Sequence, residues 1–90
     1  MSKTPEGKLV NQVNKYLKDN GWFQVNLIST SVSGIPDRLI LKDGRYIWLE
    51  LKAEGGRVSP IQTYIIDKLK KQGAEVYVIY TLAQLKEILW

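Results

Sequence analysis

The chain has 90 residues, 44% hydrophobic and 24% charged, which suits one small globular domain over residues 1–90 with a thin core. It contains no cysteine and no histidine, which excludes disulfides, thiolate or imidazole zinc sites and histidine-based nucleophilic catalysis. Its net charge of +4, from 13 Lys and Arg against 9 Asp and Glu, permits a nucleic-acid partner without requiring one.

No apolar run approaches the ~20 residues of a membrane span, and "MSKTPEGK" lacks the apolar core of a signal peptide. A soluble, cytoplasmic protein with no membrane partner and no organic cofactor is expected. "TPEGKLVNQVNKYLKDNG" predicts a helix: Thr4 caps it, Pro5 suits its first turn and Gly21 ends it. Leu9, Val13, Tyr16 and Leu17 form its apolar stripe. "WFQVNLI" alternates as a strand, with Phe23, Val25 and Leu27 on one side and Trp22, Gln24 and Asn26 on the other. In this reading Trp22 faces outward. A loop, "STSVSGIPD", leads into "RLILKDGRYIWLELK", a β-hairpin turning at Asp43-Gly44. On its second strand Ile47, Leu49 and Leu51 share one face, and Tyr46, Trp48, Glu50 and Lys52 the other. Tyr46 and Trp48 are expected to cover the sheet beneath a helix. "SPIQTYIIDKLKKQG" is the second helix, capped by Ser59 and stopped by Gly73, with Ile61, Ile65, Ile66 and Leu69 as its buried stripe. "AEVYVIY" is a fourth strand and "TLAQLKEILW" a last helix. The order αβββαβα predicts a mixed four-stranded sheet flanked by helices, its fourth strand parallel to the third.

Counting outward from a two-residue turn, Lys42 faces Arg45 and Asp37 faces Glu50. Two carboxylates at about 5 Å across a strand pair repel unless a positive charge stands between them. A divalent cation supplies it, and Lys52 is the other source. Oxygen-only ligands select Mg²⁺ or Mn²⁺ over zinc. Such a cation activates water and clamps phosphate oxygens. Together these residues point to phosphodiester hydrolysis without histidine.

"SGIPD", then "ELK", then "GRVSPIQ" resemble the virus-type replication-repair nuclease (VRR-NUC) family of the PD-(D/E)xK nuclease superfamily. The similarity runs from about Glu6 to the fourth strand. The resemblance implies a restriction-endonuclease-like core and a Mg²⁺- or Mn²⁺-dependent deoxyribonuclease. It implies that Asp37 and Glu50 are metal ligands, with the Leu51 carbonyl as a third. Lys52 becomes the catalytic lysine and Gln62 the helix glutamine beside the site. Glu6 matches an acidic residue of the first helix that sometimes adds a ligand. Viral relatives imply phage or mobile-element DNA processing, and small stand-alone members resemble Holliday-junction-resolving endonucleases.

Other roles compete for several of these residues. Ser59-x-x-Gln62 is also a capping box, and Glu6 in a first helical turn also suits the helix dipole. Lys68, Lys70 and Lys71 suit the end of the second helix, which leaves Lys42, Arg45 and Arg57 as the DNA-contact candidates. Trp22, Leu89 and Trp90 suggest an apolar patch buried in a homodimer acting on branched DNA. The rival reading is a non-catalytic DNA-binding or assembly subunit that keeps the fold.

Overall fold

Thr4 opens the first helix as expected, its hydroxyl accepting from the Gly7 amide at 3.0 Å. The computed structural model describes residues 4–28 and 30–89. Its elements in chain order are α1 (Pro5–Asp19), β1 (Phe23–Asn26), β2 (Arg38–Lys42), β3 (Arg45–Leu51), α2 (Pro60–Lys71), β4 (Glu75–Ile79) and α3 (Leu82–Ile88). The strands lie side by side in sequence order. β1–β2 and β2–β3 pair antiparallel, and β3–β4 pair parallel. The parallel pair follows from α2, which carries the chain from the end of β3 back to the start of β4.

The hairpin fixes the register. Asp43 and Gly44 have φ of 50° and 82°, the left-handed pair that matches the twist of adjoining strands. Lys42 then pairs with Arg45, Ile40 with Ile47 and Arg38 with Leu49. One sheet face carries Ile40, Ile47, Leu49, Leu51 and Ile79, all essentially inaccessible. They pack with Leu9, Val13 and Leu17 of α1, Trp22, and Leu85 of α3. Each such aliphatic burial contributes about 1.5–3 kcal/mol, so this layer is the main source of stability.

The opposite face is covered unevenly, because α2 packs against β4. This corrects three expectations. Trp22 faces inward and is 9% exposed, while Phe23 is the outward residue at 66%. Tyr46 is exposed, with no helix above it, and Trp48 is half-buried. In α2, Ile66 is buried and Ile65 and Leu69 partly so, but Ile61 is exposed. The phase of β1 is set by which face receives two helices, and both phases of "WFQVNLI" contain apolar residues. Leu89 packs on the core, and Trp90 lies outside the described residues.

Candidate functional site

The ladder between β2 and β3 stops at Arg38–Leu49, one step short of Asp37 and Glu50. Asp37 is nevertheless held on both sides. Its carbonyl accepts from the Leu27 amide at 2.8 Å. Its Oδ2 accepts from the Leu51 amide at 3.0 Å. The carboxylate therefore reaches across to β3 and takes the place of a ladder carbonyl there. The loop leading to it is pinned too. Gly34 has φ of +85°, and a Cβ there would lie 2.7 Å from the Ile61 carbonyl oxygen. Only glycine lets this loop pass so close to the first turn of α2.

Glu50 points to the sheet face under the start of α2 and its side chain is 3% exposed. Gln62 Nε2 donates to Glu50 Oε2 at 3.2 Å. Lys52 Nζ stands 3.5 Å from the same oxygen, and the Lys52 amide is fixed by the Ile79 carbonyl at 3.0 Å. Glu50 Oε1 is buried and has no partner. Burial, and next the Asp37 charge, push the Glu50 pKa up to about 7, against the opposing pull of Lys52. A buried carboxylate with one unsatisfied oxygen beside a second carboxylate is short of positive charge.

Gln62 caps α2 and contacts Glu50 at the same time. Its Oε1 accepts from the Ser59 amide at 2.9 Å while Ser59 Oγ accepts from the Gln62 amide at 3.2 Å, a complete capping box. Its Nε2 is left to face Glu50. Thr81 and Gln84 form the same box at α3, with no acid nearby in the bonds that Gln84 makes.

Glu6 and Asp37 line one cleft of about 450 Å³ between α1 and the sheet edge. Among the described residues, however, no three carboxylates gather closely enough to hold an ion. Glu6 shares the cleft with Asp37. The cation candidates also separate. Lys42 and Arg45 flank the turn, five residues and ~17 Å of strand from Asp37. Both are engaged there. Lys42 Nζ donates to the Asn20 carbonyl at 2.6 Å and lies 5.9 Å from the centre of the Trp22 ring. Arg45 makes a two-pronged pair with Glu75 at 3.0 and 2.8 Å. Arg57 is exposed on the loop between Lys52 and α2, at the Glu50 end of β3. Sequence reasoning passed over Arg38, which is 5% exposed. The signal was its phase with Ile40, the inward side of β2, where a charge is rare.

A family model for the VRR-NUC domain matches residues 3–82. The chain belongs to the VRR-NUC family. A solved structure described as a VRR-NUC domain is 26% identical and superposes with a TM-score of 0.85 over 96% of this chain and 95% of that one. No curated protein matches the chain significantly. The three helices and mixed four-stranded sheet are those of a VRR-NUC nuclease fold. Membership makes the chain a nuclease-type DNA-processing domain.

Proposed function

We propose that this VRR-NUC domain is a divalent-metal-dependent DNA endonuclease acting through Asp37, Glu50, Lys52 and Gln62. One observation carries the reading: the buried, partnerless Oε1 of Glu50 beside Asp37. Two carboxylates and a backbone carbonyl, here that of Leu51, are a donor set that Mg²⁺ or Mn²⁺ accepts, with water and phosphate completing it. A cation bound there supplies Lewis acidity and an activated water.

The chain's own residues do the rest. Asp37 and Glu50 contribute negative charge from the residue just before β2 and from β3, joined by the Asp37 bond to the Leu51 amide. Gln62 keeps Oε2 of Glu50 turned toward α2 and Lys52, which leaves Oε1 for the ion. Lys52 brings a positive charge on a 20%-exposed side chain, suited to hold a phosphate oxygen as negative charge builds on it. Arg57 offers an exposed cation beyond the site for strand phosphates. Glu6 borders the cleft that Asp37 also lines.

A homodimer cutting branched DNA extends this reading. Its support is a row of apolar residues across three strands, Phe23–Leu41–Tyr46, with Phe23 66% and Tyr46 57% exposed. Such a row gains from burial against a second copy. The deciding experiment incubates the purified chain with labelled linear, flap and four-way DNA in Mg²⁺, Mn²⁺ or EDTA. Metal-dependent cutting, strongest on the branched forms, is expected. Binding without cutting in either metal would make this a non-catalytic DNA-binding module.

A further inference from the structure

The guanidinium of Arg38 sits in the layer between the sheet and α1. Its Nη1 donates to Asn14 Oδ1 at 2.5 Å and to Gln24 Oε1 at 3.0 Å. Gln24 Nε2 in turn donates to the Asn14 carbonyl at 3.3 Å. Both acceptors on the guanidinium are neutral amides, and no ion pair among the described residues includes Arg38. Its Nε is buried without a partner. Burial holds its pKa below the ordinary arginine value, and the neighbouring Asp37 offsets this in part. Arginine stays protonated all the same.

A buried cation held only by amides is costly if structure is its sole purpose, because neutral partners leave its charge uncompensated. Its position suggests what completes it. Arg38 lines the cleft that Asp37 and Glu6 also line, with Asn14 and Asn26 on the walls. Asp37 is the immediate chain neighbour and, on the reading above, gives its charge to a cation. With that charge taken up, the cleft presents an arginine and the amides of Asn14 and Asn26 at an opening, against the one remaining carboxylate of Glu6. An arginine with amides beside it at an opening suits a phosphodiester oxygen, and arginine suits it better than lysine because its fork geometry matches phosphate oxygens.

We propose that Arg38 is a substrate-binding residue that takes a phosphate oxygen of the bound DNA strand in the cleft between α1 and Asp37. The Asn14–Gln24 fork holds Nη1, and a phosphate oxygen meets the part of the guanidinium that lines the cleft. This rests on the nuclease reading only through Asp37, and the two are tested separately.

The test measures DNA binding by fluorescence anisotropy across a salt series. It uses a short labelled single strand in constant Mg²⁺ with the Lys52→Ala chain as background, strand integrity being checked on a gel after each titration. Adding Arg38→Gln should weaken binding roughly tenfold, the loss of one charge-assisted contact. It should also make the slope of log affinity against log salt shallower by about 0.7, one phosphate fewer on a single strand. Gln24→Ala removes one prong of the fork and keeps the charge; it should lower thermal stability and leave the slope unchanged. An unchanged slope in Arg38→Gln, or an equal change in Gln24→Ala, overturns the proposal, since the network is then only a tie between α1 and the sheet. If Arg38→Gln does not fold, the NMR signal of the Arg38 Nε–H decides in the Lys52→Ala chain: it should shift on adding the strand, and an unmoved signal overturns the proposal. Cutting by the wild-type chain in Mg²⁺ and Mn²⁺, scored in parallel, bears on the nuclease reading alone.

Discussion

Replacing Glu50 by Gln should stabilise the metal-free protein, and only above the acid range. Glu50 has its pKa raised from 4.5 to about 7 by burial and by Asp37. A carboxyl raised in this way is held neutral by the fold. Its contribution to stability is complete below pH 4.5, declines as the unfolded chain ionises, and is lost once pH passes about 7. At 1.36 kcal/mol per pH unit the gap amounts to about 3 kcal/mol, a large share of what a chain of this size possesses. Gln keeps the shape and still accepts from Gln62, but never carries the charge. Urea unfolding in EDTA gives the comparison, provided the two proteins share one m-value. Near pH 5 they should differ by less than about 1 kcal/mol, and near pH 8 the variant should lead by about 3 kcal/mol. Mn²⁺ at the higher pH should reverse the order, because only the wild type retains both ligand charges. A wild type whose stability relative to the variant is constant from pH 5 to 8 would refute the claim that Glu50 is starved of positive charge.

Asp37→Ala and Lys52→Ala should both abolish cutting but diverge in Mn²⁺ calorimetry: the first weakens binding by removing a ligand charge, and the second leaves it equal or tighter. Full cutting by either would remove the residue from the mechanism. Arg57→Ala should weaken binding to all DNA sequences alike and flatten the salt dependence; unchanged affinity would place the loop away from phosphate. Gly34→Ala should cost more than 1 kcal/mol in thermal or urea melts, because φ of +85° and the 2.7 Å approach to Ile61 both oppose a side chain. Phe23→Lys together with Tyr46→Lys should leave the fold intact and yield monomers in sedimentation at micromolar concentration if the apolar row is the dimer contact. Dimers that survive both substitutions would exclude that face.

The sheet and the pairing of its central strands were legible because one turn fixed them. Asp43-Gly44 sets Lys42 opposite Arg45, and counting outward carries the register to Arg38 and Leu49, one step short of Asp37 and Glu50. The phase of β1 was not legible, since Trp22 and Phe23 are both apolar and the choice belongs to helices distant in sequence. The same limit hid the different fates of the cations. Lys42 and Arg45 are near the hairpin in sequence, but the hairpin turn is the end of the sheet opposite Asp37. Glu75, which holds Arg45, is thirty residues away. Gln62 was legible as two separate motifs. That both operate at once depends on the amide's two ends pointing to different partners, which sequence spacing does not encode.

That division of labour in Gln62 narrows what drift can do at its position. A capping box tolerates glutamate at its third residue as readily as glutamine, since either offers the oxygen that the helix start needs. Here the opposite end must donate, and a carboxylate has nothing to donate at neutral pH. The single-atom exchange of Nε2 for oxygen would keep α2 well begun and set a third negative charge against Glu50. A change that helix-forming rules score as silent is thus opposed by an acid in the strand just before α2, so the first turn of α2 answers to the end of β3 as well as to its own cap.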